Sequence, residues 1–198
     1  MSEKLFFFDL ETTGLKYWRN GIHQISGEIT VDGETKEQFN FKVKPYHACD
    51  IDDDALNIAG ITRDDLLIYL EMKDVYIQIE KMLSKYVDKF DKTDKFHLVG
   101  YNNSGFDNAF FRAFFVQNAS DKKSAEYGNY FGSWFWSDSI DVMVLSSNYL
   151  KKERHKLTDF KLSTVAKYLG IEVDETKLHD AMYDIYLTKE IYNRVTEK

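Results

Sequence analysis

An aromatic, wholly apolar run passes directly into a pair of acidic side chains near the beginning of this chain. Residues 5–8 are Leu-Phe-Phe-Phe, a pattern typical of a fully buried strand. Asp9 follows at once and Glu11 two positions later, so both carboxylates leave the same strand face, about 7 Å apart at roughly 3.3 Å per residue. Such carboxylates repel each other and lose hydration, and a cation between them would remove both penalties. The strand end therefore predicts a cation site, with a solvated strand end as the alternative.

The order of the other patterns predicts one α/β domain over residues 1–198. Apolar or alternating runs predict three further strands, at 22–31, 38–43 and 96–100. The turn signal Asp32-Gly33 predicts that the first two form a hairpin. Helical periodicity predicts four helices, at 75–86, 106–115, 157–169 and 181–195. The intervals hold a loop with a short helix at 44–62 and a strand end that runs into a helix at 140–145. This order is typical of a mixed sheet with helices on its faces, where sites lie at strand carboxyl ends.

The composition excludes several classes of protein. With 15 Phe, 13 Tyr and 3 Trp, the chain has enough apolar surface to fold, which argues against disorder. A net charge of -7 argues against a basic nucleic-acid coat, but not against an enzyme that grips nucleic acid through metal ions. The single cysteine, Cys49, excludes an intramolecular disulfide and a multi-cysteine zinc site. The apolar run 5–8 is too short for a signal or membrane segment, so we expect a cytoplasmic protein with no membrane partner. Because the chain stops just after the last predicted helix, we expect no tail for docking to a polymerase.

Two later segments carry further candidate site residues. Asp107 is predicted in the first turn of the helix that follows strand 96–100. On its own, this residue is more simply explained as a helix-start aspartate that complements the helix dipole. His179 precedes a helix predicted to be capped by Asp180, and a loop histidine held by a backbone hydrogen bond is its simpler explanation. Asp184 lies one turn into that helix on the face that packs against the sheet, where a carboxylate needs a partner.

Together, the three segments resemble the sequence motifs of a known enzyme family. The motifs are Asp9-x-Glu11-Thr-Thr-Gly, Gly100-x-Asn102 followed by Phe106-Asp107, and His179-x-Ala181-x-x-Asp184. In this order they resemble the three motifs of the DEDDh 3′→5′ exonucleases, the ribonuclease H-like group that includes polymerase III proofreading subunits, ribonuclease T and oligoribonuclease. The resemblance covers about residues 4–195. It implies an α/β, ribonuclease H-like three-layer fold, with a mixed five-stranded sheet and helices on both faces.

The resemblance also implies a role for each matching residue. Two divalent metal ions, Mg²⁺ or Mn²⁺, would be held by four carboxylates: Asp9, Glu11, Asp107 and Asp184. His179 would be the general base. The positions that contact or wedge the terminal nucleotide in relatives are matched by Thr12, Thr13, Leu15 and Asn102. Asp141 and residues 162–169 match family positions more weakly. Ala59 stands where a family loop often carries histidine, which puts a substrate contact from that loop in doubt.

The chemistry of phosphodiester hydrolysis explains why such a site needs carboxylates. Water must attack phosphorus in line with a leaving alkoxide, and two ions roughly 4 Å apart stabilise both oxygens. Hard cations prefer oxygen ligands, and histidine has a pKa suited to accepting a proton at neutral pH. We therefore predict a metal-dependent 3′→5′ exonuclease that releases nucleoside 5′-monophosphates from single-stranded 3′ ends of DNA. RNA is the alternative substrate. A non-catalytic module that binds nucleic-acid ends or a protein partner is the alternative class.

Three other segments leave alternatives open or are rejected. Residues 151–167 carry six basic and two acidic side chains, which suits either a track for a nucleic-acid backbone or a solvated helix face. Residues 117–139 hold six aromatic residues that either stack exposed bases or, as we favour, form a small core. Asp50-x-Asp52-x-Asp54 imitates the beginning of an EF-hand loop but lacks the later glycine and glutamate, so we reject calcium binding there.

Overall fold

A five-stranded mixed sheet forms the centre of the computed structural model, which describes residues 2–178 and 180–197. The strands are β1 (Lys4–Thr12), β2 (Ile22–Val31), β3 (Glu34–Lys42), β4 (His97–Gly100) and β5 (Ile140–Asp141). Their order is β3-β2-β1-β4-β5, in which β2 pairs antiparallel with β1 and β3, while β4 pairs parallel with β1 and β5. The apolar run at 5–8 thus lies in the central strand, as its lack of polar residues predicts.

A tight hairpin joins β2 to β3. The turn residues Asp32 and Gly33 have φ values of 51° and 81°, the left-handed pair that a two-residue hairpin turn needs. The hairpin prediction is confirmed, but β3 begins at Glu34 rather than at residue 38. Residues 34–37 are polar or charged and mostly exposed at the edge of the sheet. They therefore lack the apolar alternation that marks a strand in the sequence.

Helices cover the sheet over the described part of the chain. The α-helices are α1 (Asp53–Ala59), α2 (Arg63–Leu67), α3 (Met72–Leu83), α4 (Asp107–Gln117), α5 (Lys122–Glu126), α6 (Phe131–Trp134), α7 (Val142–Tyr149), α8 (Leu162–Tyr168) and α9 (Ala181–Thr196). Short 3₁₀ turns lie at Gly128–Tyr130, Arg154–Lys156 and Glu175–Lys177. Of the helices in the described ranges, none is long and apolar enough to cross a membrane.

Alternation along β1 divides the core into two layers. Phe6 and Phe8 face a cluster built with α3 and α4, where the Phe111 ring stacks on the Phe6 ring with centroids 5.7 Å apart. Leu5 and Phe7 face the opposite layer, to which α7, α8 and α9 contribute. Helices therefore pack on both faces of the sheet, and the predicted three-layer α/β architecture is confirmed.

The helix predicted to begin at residue 157 is shorter in the structure. α8 begins only at Leu162, so the predicted start is wrong. Asp159 Oδ1 accepts hydrogen bonds from the Lys161 backbone N–H at 3.1 Å and from the Thr164 hydroxyl at 2.6 Å. Bonds of this local kind compete with helical hydrogen bonds, which keeps the residues before Lys161 outside the helix.

The aromatic segment 117–139 contributes three rings to the core, whereas Tyr127 and Tyr130 are exposed. Phe131, Trp134 and Phe135 are buried in the same cluster as Phe6. Phe135 also forms an isolated bridge beside the sheet. The small-core interpretation is confirmed for these three rings, which are not available to stack bases.

Candidate active site

The polar end of β1 forms the floor of the candidate site. β1 continues past its parallel partner β4, with which it pairs only over residues 5–7. Asp9 and Glu11 therefore extend beyond the β4 ladder, while β2 still holds them on the other side. β4 leads through residues 101–106 into α4, whose first residue is Asp107. The parallel pairing of β1 and β4 thus brings the first and second motifs to one edge of the sheet.

Asp107 is buried in the first turn of α4, with 7% of its surface exposed. Burial raises the pKa of this carboxyl to about 7, although backbone N–H groups of Leu10 and of Asp107 itself donate hydrogen bonds that oppose the shift. The negative charges of Glu11 and Asp141 raise the pKa further. Asp107 therefore does accept hydrogen bonds from the backbone N–H groups expected of a helix-start aspartate, but burial outweighs their effect on its pKa.

Asp9 is the electrostatic centre of the site. Its pKa is raised well above the usual value, first by burial and then by the negative charges of Asp107, Glu11 and Asp184. Asp184 reaches the cluster from the first turn of α9, which packs against β1. Three elements that are distant in sequence, β1, α4 and α9, therefore bring the four predicted carboxylates close enough to act on one another.

This donor set fits a hard divalent cation. All four side chains offer carboxylate oxygens, the ligands that Mg²⁺ and Mn²⁺ prefer. The raised pKa values of Asp9 and Asp107 reflect burial and repulsion, and bound cations would offset both. Within residues 2–178 and 180–197, no three His, Cys, Asp or Glu side chains are already arranged to hold an ion.

The beginning of α9 carries the third motif. Asp180 caps the helix by accepting a hydrogen bond from the Tyr183 backbone N–H at 3.0 Å, as the sequence predicts. Ala181 is buried directly after this cap. His179 lies outside the described residues, so its role as general base stays a prediction.

The two threonines after the first carboxylates have different surroundings. The Thr12 hydroxyl donates to the Gly14 carbonyl at 2.8 Å, and the residue is partly exposed. Thr13 is fully buried, and its hydroxyl donates to the Asp50 carbonyl at 2.8 Å and accepts from the Gly21 backbone N–H at 2.9 Å. These hydrogen bonds show that Thr13 anchors the loop to distant parts of the chain. Its contact with a nucleotide stays a prediction.

The other two predicted substrate contacts lie on the surface. Leu15 has 82% of its surface exposed, directly after the turn at Gly14. Asn102 is also exposed, and its φ of 60° places it in the left-handed region that asparagine tolerates. Both side chains are open to a ligand, and their contacts with a nucleotide stay predictions.

Asp141 organises the site although its sequence match is weak. It is buried and caps α7 by accepting a hydrogen bond from the Met143 backbone N–H at 3.0 Å. The same carboxylate accepts from the backbone N–H groups of Asn102 at 3.1 Å and Ser104 at 3.2 Å. One side chain thus fixes both α7 and the loop that leads to Asp107. The sequence signal is an aspartate placed between a strand and a helix, the usual position of a helix cap.

A cavity beside Glu11 contains a histidine that sequence reasoning missed. The register between β1 and β2 shifts at Glu11 and Thr12, so His23 is the extra residue of a β-bulge. His23 lines a cavity of about 370 Å³ together with Glu11, Lys42 and Ala59. Burial and then the charge of Lys42 lower the pKa of His23 to about 4, so its ring is neutral at pH 7. His23 from β2 thus lines the same cavity as Ala59, the loop position where the resembled family often carries histidine.

The mixed five-stranded sheet, with carboxylates meeting at the end of its central strand, is the α/β architecture that the sequence predicts. The chain belongs to the exonuclease family, because a family model described as Exonuclease matches residues 6–192. This match confirms the resemblance to DEDDh 3′→5′ exonucleases that the three motifs carry.

The curated relatives are much longer proteins. DNA polymerase III PolC-type of Oceanobacillus iheyensis is 26% identical over 195 residues, which cover 96% of this chain but 12% of that protein. The corresponding PolC-type polymerase of Mycoplasmopsis pulmonis is 23% identical over 192 residues, which cover 97% of this chain and 11% of that protein. This chain therefore corresponds to a small part of each polymerase.

Solved structures of E. coli exonuclease I share the fold. The complex with a dT13 oligonucleotide has a TM-score of 0.71 and 24% identity, covering 98% of this chain and 41% of that one. The zinc-bound complex with single-stranded DNA has a TM-score of 0.72 and 24% identity, covering 98% of this chain and 40% of that one. The similarity extends over nearly all of this chain and less than half of exonuclease I.

The raised carboxyl pKa values predict that the metal-free protein loses stability as the pH rises from about 4 to about 7. With raised pKa values, the folded state holds protons on Asp9 and Asp107 that the unfolded chain has released. This stabilisation is complete below the unfolded pKa of about 3.9. It is lost as the pH passes the folded pKa, about 7 for Asp107. Thermal unfolding in chelator should show a Tm that falls across this interval.

Divalent cations should reverse this loss. Carboxylates bind cations in their deprotonated form, so added Mg²⁺ or Mn²⁺ should raise the Tm more at about pH 8 than at about pH 6. The variant Asp9→Asn serves as control and should show a much smaller cation effect. A metal-free Tm that climbs between these two pH values would contradict the assignment.

Proposed function

We propose that this chain is a metal-dependent 3′→5′ exonuclease that releases nucleoside 5′-monophosphates from single-stranded DNA ends. The observation that carries the proposal is the raised pKa of Asp9, which burial and three other acidic side chains produce together. Buried carboxylates that repel one another cost stability, and a hydrolytic cation site explains why a chain would place four of them together. Membership of the exonuclease family supports the same conclusion. We also propose that residues 1–198 form a single exonuclease domain.

The four carboxylates would hold two divalent ions, Mg²⁺ or Mn²⁺. Such ions supply charge stabilisation for the entering and leaving oxygens of phosphodiester hydrolysis. The cluster of Asp9, Glu11, Asp107 and Asp184 offers only hard oxygen donors, which suits these ions better than softer ones. Without cations, the negative charge of this cluster would repel the phosphate of a substrate.

The remaining site residues would position the substrate and move a proton. His179, directly before α9, would accept the proton of the attacking water. Leu15, exposed beside the carboxylates, would pack against the base of the terminal nucleotide. Thr12, at the end of β1, and Asn102, in the loop after β4, would contact the same nucleotide.

DNA is the proposed substrate and RNA the second candidate. The curated relatives are named as DNA polymerases, and the exonuclease I structures contain single-stranded DNA oligonucleotides. Both observations support a single-stranded DNA partner for this chain. The alternative is a non-catalytic module that binds nucleic-acid ends or a protein. Such a module does not need four carboxylates that repel one another, so the cluster does not support it.

A digestion assay tests the proposal. Single-stranded DNA, single-stranded RNA and duplex DNA, each labelled at the 5′ end, are incubated with Mg²⁺, with Mn²⁺ or with chelator. We expect a ladder that shortens from the 3′ end, is fastest on single-stranded DNA, and disappears in chelator. His179→Ala tests the general base separately and should slow hydrolysis by roughly 10²- to 10⁴-fold.

The outcomes separate the parts of the proposal. Activity that persists in chelator, or no activity on any substrate, would refute a metal-dependent exonuclease. Faster shortening of RNA than of DNA would make the second candidate the substrate. A His179→Ala protein as active as the unmodified chain would remove only the general-base assignment.

A further inference from the structure

We propose that a groove beside α7 binds the phosphodiester backbone of the nucleic-acid strand behind its 3′ end. This inference rests on the proposed function, because it extends the same site. The groove has a volume of about 440 Å³. It is lined by Met143, Val144, Ser147, Asn148, Lys151, Arg154 and Phe160. It occupies part of the basic segment 151–167, whose sequence left open either a nucleic-acid track or a solvated helix face.

Arg154 is held in place on the wall of the groove. Its guanidinium group lies over the Phe160 ring, 4.4 Å from the ring centroid, and also donates a hydrogen bond to the Ser147 hydroxyl. A stacked guanidinium keeps N–H donors at its edge, in the planar arrangement that suits a phosphate. These two contacts hold the Arg154 side chain in one position, whereas a fully solvated arginine side chain would move freely.

The groove also has cationic charge that the protein does not neutralise. Among the described residues, Lys151, Lys152 and Arg154 form no ion pair, whereas other basic side chains of the segment do. Lys156 pairs with Glu153, and Lys167 pairs with Glu175 outside the segment. The two basic side chains that line the groove, Lys151 and Arg154, therefore keep charge that no ion pair in the described ranges neutralises, in a chain whose net charge is -7. A ligand with repeated negative charges complements this local excess.

Hydrogen bonds connect the groove to the candidate active site. The Tyr101 hydroxyl donates to the Phe160 carbonyl at 2.8 Å, which ties the wall of the groove to the loop after β4. Asp141, at the beginning of α7, holds the same loop through the backbone N–H of Asn102. This loop leads directly to Asp107. The wall of the groove and the loop that leads to Asp107 are therefore fixed to each other.

The candidate active site is negatively charged, whereas the groove beside α7 is positively charged. The carboxylate cluster attracts cations and repels phosphates, so it cannot hold a long strand by itself. The groove lies beyond the Asn102 loop and offers Arg154 and Lys151 to phosphates further along the strand. Val144, with 58% of its surface exposed, adds an apolar surface on which a base can pack. The strand would thus be held behind the reacting end rather than at it.

The test compares substrates that reach the groove with one that does not. In Arg154→Ala/Lys151→Ala, we expect the KM for a single-stranded 20-mer to rise roughly tenfold, with kcat unchanged. The KM for a dinucleotide should stay the same, because its single phosphate occupies the carboxylate site. The slope of log KM against log salt should decrease by about 0.7 for each lost phosphate contact.

Arg112→Ala/Lys123→Ala is the matched control. Arg112 is also an exposed arginine stacked on a phenylalanine, 4.5 Å from the Phe131 ring centroid, but it packs with the opposite layer of the sheet. This control removes the same charge and the same kind of stacking, and it should leave the KM for the 20-mer unchanged. An equal rise in both double variants would show a general charge effect and would overturn the proposal.

A binding measurement separates this proposal from the proposed function. The groove substitutions are introduced into the Asp9→Asn background, and affinity for a labelled 20-mer is measured by fluorescence anisotropy. A roughly tenfold weaker Kd supports the groove even where no hydrolysis occurs. An unchanged Kd, or an equal rise in KM for the dinucleotide and the 20-mer, overturns the groove while leaving the exonuclease proposal intact.

Discussion

Asp9→Asn is expected to abolish hydrolysis and, at the same time, to stabilise the metal-free protein. Asp9 lies where the charges of Asp107, Glu11 and Asp184 meet, so removing its charge removes a cation ligand at the centre of the cluster. Activity should fall by at least about 10³-fold, the upper part of the range for losing one essential electrostatic group. The side chain keeps its size, so packing around it is preserved.

Unlike activity, the stability of the metal-free protein should increase, because the Asp9 carboxylate is unfavourable when no cation is bound. Burial and three neighbouring charges disfavour its carboxylate, and a neutral amide removes both penalties. Each 1 kcal/mol gained would raise the Tm by about 2–4 °C for a chain of this length. Thermal unfolding in chelator at about pH 8 measures this effect, and single-turnover digestion of labelled DNA measures the activity.

Asp32→Asn is the control for the stability effect. Asp32 lies in the hairpin turn, where the Glu3 backbone N–H and then the Ser2 hydroxyl hold its pKa below the usual value. Its charge is therefore favourable, and its replacement should not raise the Tm or change activity. If Asp9→Asn lowers the metal-free Tm, or keeps more than a tenth of the activity, Asp9 is not the centre of a cation site.

The local pattern of the sequence predicted the elements that carry the carboxylates. Residues 5–8 have no polar side chain, so their burial in a central strand required no knowledge of the rest of the chain. Asp107 and Asp184 lie on helices whose periodicity is clear. By contrast, the edge strand at 34–37 was missed, because its polar side chains face solvent and its pairing depends on β2.

Contacts between distant residues explain what the sequence could not predict. Thr13 lies in a motif that suggests substrate contact, but Asp50 and Gly21 occupy its hydroxyl from other parts of the chain. His23 enters the cavity beside Glu11 through a bulge, and a bulge depends on how two strands register rather than on either strand alone. The candidate metal ligands could be predicted from local motifs. The contacts of the residues around them, such as Thr13 and His23, could not, because they depend on how distant parts of the chain pack together.

Asp141→Ala is expected to cause the largest loss of stability among the site substitutions considered. The buried carboxylate caps α7 through Met143 and fixes the loop after β4 through Asn102 and Ser104. Loss of a cap costs about 1 kcal/mol, and each hydrogen bond to a charged group contributes about 1.5–3 kcal/mol. These bonds share one carboxylate and are not additive, so we expect the free energy of unfolding to fall by about 3 kcal/mol.

The functional consequence of Asp141→Ala should follow from the freed loop. With its backbone no longer held, Asn102 should lose its fixed position, and the KM for single-stranded DNA should rise more than kcat falls. Asp141→Asn should be intermediate, because its amide oxygen still accepts one set of hydrogen bonds while its NH₂ group faces another donor. Urea unfolding and steady-state digestion measure the two effects.

Asp121→Ala is the control for Asp141→Ala, because Asp121 only caps a helix, whereas Asp141 caps a helix and also holds the loop after β4. Asp121 caps α5 by accepting a hydrogen bond from the Ser124 backbone N–H at 2.8 Å and lies on the exposed surface. Its replacement should lower the free energy of unfolding less than Asp141→Ala does and leave the KM unchanged, because the lost bonds are those of a cap. If Asp141→Ala costs no more than Asp121→Ala, the bonds to Asn102 and Ser104 contribute little. The loop before Asp107 would then be held by its own backbone turns rather than by Asp141.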